Sequence, residues 1–113
     1  MNSASRPVYL RLRDEICIGI LDGRYAEGAM LPSVRAFAAE QGANPLTVAK
    51  AYQQFQDEGF VTVQRGIGMF VASGAVAALR LRERESFLRD EWPHIAARMR
   101  LLGLTLADMT ELA

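Results

Sequence analysis

Residues 31–71, LPSVRAFAAEQGANPLTVAKAYQQFQDEGFVTVQRGIGMFV, decide the fold. Pro32 keeps Leu31 extended. Ser33 then offers a side-chain oxygen to the open amides of a helix start. Val34, Phe37 and Ala38 share one face of that helix, and Gly42 stops it, with a positive φ expected there. Just beyond, Asn44-Pro45 starts another helix, with Asn as the cap and Pro at the first helical position. A stop and a restart so close together force a sharp angle between two helices, which is a helix-turn-helix in backbone terms. The second helix runs from Pro45 to about Glu58, with Val48, Ala51, Tyr52 and Phe55 on its inner face. After Gly59, Phe60–Gln64 alternates and is rich in β formers. Arg65-Gly66-Ile67-Gly68 reads as a glycine hairpin and Met69-Phe70-Val71 as the returning strand. The expected fold is mostly α with a small β wing: a winged helix-turn-helix.

The flanks read as support and as a pairing device. Upstream, Pro7 opens a helix whose apolar face is Tyr9, Leu12, Ile16 and Ile20, with Arg11, Asp14 and Glu15 falling away from it. Asp22-Gly23 ends that helix, Tyr25–Gly28 turns, and Met30-Leu31 is a short extended piece. Downstream, Ser73-Gly74 breaks the composition. The expected domains are therefore 1–73, the winged helix-turn-helix, and 74–113, a helical dimerisation tail. In the tail, Glu85 and Arg89 have ion-pair spacing. Leu88, Trp92, Ile95, Met99 and Leu102 step as an a/d-type heptad seam. Pro93 should kink or restart the helix, and Gly103 stops it. Thr105 caps a last short helix, with Asp108 as an imperfect capping box.

Composition narrows the function. With 113 residues, half of them apolar, the chain suits one compact domain and an appendage. No apolar run is long enough to span a bilayer and the N-terminus carries no signal-peptide pattern, so a cytoplasmic location is expected. Cys17 and His94 are each alone, which leaves no disulfide, no zinc ligand set and no catalytic triad. No cofactor is implied and an enzyme is not expected. Net charge is zero, and residues 1–74 carry seven basic side chains against seven acidic ones. Any binding to double-stranded DNA must rest on a few placed cations and backbone donors, helped by pairing of two copies.

Those placed groups can be named. The outward face of the second helix of the motif holds Leu46, Lys50, Gln53, Gln54 and Asp57, with Thr47 and Ala49 on its flanks. Leu46 or the Thr47 methyl can pack on a thymine methyl, while Lys50, Gln53 and Gln54 can reach bases or phosphates. Arg35 lies in the first turn of the preceding helix, where a phosphate contact is expected. Arg65, Gly66 and Gly68 form a wing tip suited to the minor groove, where an arginine meets enhanced negative potential.

In these residues the chain resembles the GntR family of bacterial transcription regulators. The matching residues are Leu31-Pro32-Ser33 with Arg35, Asn44-Pro45-Leu46-Thr47-Val48, Ala51-Tyr52, Glu58-Gly59-Phe60, Arg65-Gly66-Ile67-Gly68 and Phe70-Val71, with Pro7-Val8-Tyr9 at the family's opening. The short tail with Leu102-Gly103-Leu104-Thr105-Leu106 is similar to the YtrA-type subfamily. The resemblance implies a homodimeric DNA-binding regulator, most often a repressor, reading a palindromic operator, and dimerisation through the tail. It implies DNA-contacting roles for Arg35, Thr47 and Gly66, with Ser33 and Asn44 at the helix starts beside them. Many members place arginines where this chain has Pro45 and Ala49, which shifts the burden here to Lys50, Arg35 and Arg65. A small-molecule effector is left open, since so short a tail offers no evident pocket. The competing reading is a winged-helix protein-interaction module that works through the seam without DNA.

Overall fold

The computed structural model describes residues 7–112; residues 1–6 and 113, which end the two expected domains, lie outside the described range. The chain runs α1 (Val8–Leu21), α2 (Val34–Gln41), α3 (Pro45–Asp57), β1 (Val61–Gln64), β2 (Gly68–Val71), α4 (Ala75–Ser86), a π-helical turn (Phe87–Glu91), α5 (Trp92–Leu101) and α6 (Leu106–Leu112). It divides into two compact units, Met1–Arg80 and Leu81–Ala113.

The first unit is a winged helix-turn-helix. The Ser33 side chain accepts from the Ala36 amide at 3.1 Å and the Asn44 side chain from the Leu46 amide at 2.8 Å, so both helix starts are capped as the residue types require. Gly42 takes φ 62°, a left-handed conformation that costs a glycine little, and the chain turns there from α2 into α3. Phe37 and Ala38 from α2 and Val48, Ala51, Tyr52 and Phe55 from α3 meet Leu12, Ile16 and Ile20 of α1 in one core. Rings stack within it: Phe37 and Tyr52 lie with centroids 5.9 Å apart, and Phe55 meets Phe60 edge-on at 6.2 Å. Burial pushes the Tyr52 hydroxyl well above the usual tyrosine range; that hydroxyl donates to the Pro32 carbonyl at 2.8 Å.

The wing is antiparallel, with Val61 opposite Val71 and Gln64 opposite Gly68. Met30 pairs with Phe70 as an added bridge, and the Leu31 amide donates to the Met69 carbonyl at 2.8 Å, so the short extended piece before Pro32 serves as a third edge of the wing. Gly68 has φ 155°, and a Cβ there would come within 2.8 Å of the Met30 sulfur. The Met30 side chain is flexible and half exposed and can give way, so it is the backbone conformation that favours glycine at this position.

One expectation for this unit differs from what is seen. Asp14 does not fall away from the core: it is buried with Cys17, because α1 is covered on more than one face. Ala75 and Leu79 of α4 are buried in the same core, and the first compact unit runs to Arg80.

In the second unit the proline acts as expected. Pro93 has no amide to give and would crowd the Arg89 carbonyl in a regular helix. The backbone widens instead: the Trp92 amide donates to Phe87, five residues back, and α5 restarts with proline in its first turn. Arg89 pairs with Asp90 at 3.1 Å instead of reaching Glu85. Met99 is buried and Trp92 half-buried, so the five expected seam positions are not equally free; Leu88, Ile95 and Leu102 remain exposed. At α6 the capping box is reciprocal. The Thr105 amide donates to the Asp108 carboxylate at 2.8 Å, and the Asp108 amide to the Thr105 hydroxyl at 3.3 Å. The Thr105 amide and hydroxyl hold the Asp108 carboxyl below its usual range.

Candidate nucleic-acid interface

Helix α3 carries the candidate reading face, and its N-terminal turn stands clear. Leu46 is 80% exposed, so most of its side chain faces solvent. Thr47 beside it is half-buried, and Lys50, one helical turn on, is exposed. The Lys50 ammonium does not trail into solvent. It lies over the Tyr9 ring of α1, 4.8 Å from the centroid, a cation–π contact that holds the one cation of this helix in place.

The amides of the same face are already engaged. Gln53 donates to the Asp57 carboxylate at 2.9 Å along the helix. Gln54 is turned toward α1: Arg13 donates to its side-chain carbonyl at 3.0 Å. The same guanidinium reaches the Glu58 carboxylate at 2.6 Å and covers the Phe55 ring at 5.0 Å. The structure thus separates Gln54 from Leu46, Thr47, Lys50 and Gln53. It makes Gln54 part of a clasp between α1 and the C-terminal half of α3.

The remaining candidates lie on other elements. Arg35 is exposed in the first turn of α2, two residues after the Ser33 cap. Ser33 and Asn44 spend their acceptor oxygens on capping, and the Ser33 hydroxyl keeps its proton as a donor. Arg65 and Gly66 are exposed at the tip of the wing, where the Ile67 amide closes the turn on the Gln64 carbonyl at 3.0 Å. An apolar groove of about 420 Å³ lies between the wing and the start of α2, lined by Met30, Val34, Tyr52, Val63, Ile67 and Met69.

Three side chains that shape this surface have no local signature in the sequence: Tyr9 under Lys50, Arg13 in the clasp and Met30 over Gly68. Each meets its partner across the tertiary fold. No cluster of His, Cys, Asp or Glu that could hold a metal exists among the described residues, and no described helix is long and apolar enough to cross a membrane.

The fold has relatives among known bacterial regulators. The model of the gntR family of bacterial regulatory proteins matches residues 6–71. The HTH-type transcriptional regulator YhcF of Bacillus subtilis is 32% identical over 108 residues, spanning 96% of this chain and 88% of its own. The HTH-type transcriptional repressor YtrA of the same organism is 28% identical over 108 residues, spanning 96% and 82%. Among solved structures, a GntR-family regulator from Bacteroides thetaiotaomicron superposes with a TM-score of 0.69 at 34% identity, covering 94% of this chain and 92% of that one.

Proposed function

The chain belongs to the gntR family of bacterial regulatory proteins, and on that premise we propose that it acts as a homodimeric repressor on a two-fold symmetric DNA operator. Membership makes it a DNA-binding transcription regulator and not an enzyme. The finer reading rests on the exposed N-terminal turn of α3. Leu46 and Thr47 offer apolar contact to thymine methyls in the major groove. Lys50, Arg35 and Arg65 supply the phosphate or groove contacts, with Gly66 allowing close backbone approach. So few cations per copy favour two copies acting together.

The tail supports the second copy. Leu88, Ile95 and Leu102 are exposed, and so are Leu101, Leu106 and Leu112, more apolar surface than a free helical tail leaves in water without a partner. Two copies related by a two-fold axis read half-sites about one helical turn, or a multiple of it, apart. Repression is supported by the similarity to the repressor YtrA over nearly the whole chain.

Selection from random duplex DNA with the full chain tests this reading. A two-fold symmetric site should be enriched, and Arg35→Ala should weaken binding to it by about tenfold, the cost of one good charged contact. Enrichment of a single unpaired half-site would overturn the dimeric reading. No enrichment at all would favour a protein-interaction role for the fold.

A further inference from the structure

Among the described residues, three cations of the first unit lie over aromatic rings: Arg13 over Phe55, Arg24 over Tyr25 and Lys50 over Tyr9. Two of them are also paired with acids. Arg13 meets the Glu58 carboxylate at 2.6 Å, and Arg24 meets Asp22 at 3.7 Å. Lys50 has the ring alone, with no carboxylate among the described residues beside it. The difference lies in the charge that is left. A carboxylate holds a cation by cancelling it. A ring holds it through its quadrupole and leaves the full charge to act on a polyanion.

The ring is itself fixed in place. Tyr9 is half-buried and packs from α1 against the core. Its hydroxyl is buried without a hydrogen-bond partner, so the ring face is what it offers Lys50. Lys50 and Gln54 stand one turn apart on the same edge of α3. Both meet α1, at Tyr9 and at Arg13, which are four residues apart on that helix. The contact therefore draws the ammonium from the outward face, shared with Leu46 and Gln53, to the edge beside α1. A helix lying in the major groove turns its middle to the bases and its edges to the phosphate strands.

We propose that Lys50 is a contact to the DNA backbone rather than a reader of bases, and that Tyr9 is its positioning residue, which holds the ammonium ordered and still charged where a phosphate passes. This rests on the reading of α3 as the DNA-facing helix. The gain is preorganisation. A free lysine gives up rotamer freedom when it binds a phosphate, and one already held against a ring has less to lose. Lys50 remains exposed, so the side of the ammonium away from the ring is open to the phosphate.

The test uses the full chain, the duplex enriched by the wild-type protein and single-base variants of that duplex. Lys50→Gln should weaken binding to all of them by the same factor. It should also reduce the slope of log K against log salt by about 0.9 for each copy bound. Tyr9→Leu should cost about threefold in affinity per half-site, the scale of one exposed cation–π contact. In the Lys50→Gln background the same change should cost nothing further, because the ring then has no cation to hold. Tyr9→Phe keeps the ring and loses no hydrogen bond, so it should recover most of what Tyr9→Leu loses.

A Tyr9→Leu loss of the same size with Lys50 and with Gln at that position overturns the positioning role, since the ring would then act through the fold alone. Tighter binding by Tyr9→Leu overturns it too, because the ring would be withholding the lysine from DNA. A Lys50→Gln protein whose preference changes at one base pair makes Lys50 a base reader and overturns the backbone assignment. If the wild-type protein enriches no duplex at all, the DNA-facing reading of α3 fails and the proposal with it.

Discussion

At the scale of single residues, the exposed leucine at the start of α3 is where its outward face, expected from the periodicity, meets solvent. Leu46 buries almost nothing within the fold, so its removal should cost little stability, within about 0.5 kcal/mol as for surface positions free of special contacts. If it packs on a thymine methyl, Leu46→Ala should instead alter which base is preferred at one position of each half-site, measured by repeating the duplex selection. An unchanged preference with unchanged stability would remove Leu46 from the reading set. What the sequence revealed at this scale follows a physical rule. The caps at Ser33 and Asn44 act on amides three and two residues away, and such contacts are written in local spacing. The contacts of Arg13 with Gln54 and of Glu27 with Gly74 cross 41 and 47 residues, and nothing in the residue pattern announces them. The periodicity of α3 placed Gln54 on the outward face, but half-burial and an arginine from α1 decide what it does.

At the scale of elements, the α1–α3 clasp explains how the reading helix is held. The guanidinium of Arg13 bonds Gln54 of α3 and Glu58 at its C-terminal cap, and lies over Phe55, which is fully buried. Arg13→Met keeps much of the apolar stem but loses the cation and its hydrogen bonds. A partly exposed ion pair and one cation–π contact together suggest a loss of about 1–2 kcal/mol. That corresponds to a fall in Tm of several degrees for a chain of this size, measurable by thermal unfolding. A variant as stable as wild type would show that core packing alone holds α3. The elements themselves were largely legible. Gly42 with Asn44-Pro45 marks the sharp corner, and the alternation around Gly66 marks the wing. The tail was legible only in part. Pro93 announces an interruption, but the choice of a π-helical turn over a kink depends on how the Arg89 carbonyl escapes the proline ring, a three-dimensional outcome.

At the scale of the whole molecule, the question is how a chain of zero net charge holds a polyanion. One copy offers Arg35, Lys50 and Arg65 as candidate phosphate partners, so a lone copy should show a salt dependence, log K against log salt, no steeper than about −3. A dimer offers twice as many, with a slope near −5. The two quantities can be tied together through the tail. Ile95 is exposed and lies on α5. A glutamate there would set a charge against its counterpart in any apolar pairing of two tails. Light scattering should give twice the mass of one chain for the wild-type protein and a single mass for Ile95→Glu. The variant should still bind an isolated half-site, but its slope on the full symmetric duplex should fall to the one-copy value. A wild-type protein that is monomeric and folded at micromolar concentration would end the dimer reading directly. A monomeric Ile95→Glu protein that kept the steeper slope would mean that cations other than these three neutralise the phosphates, and the search would then turn to Arg11 and Arg24 of the first unit.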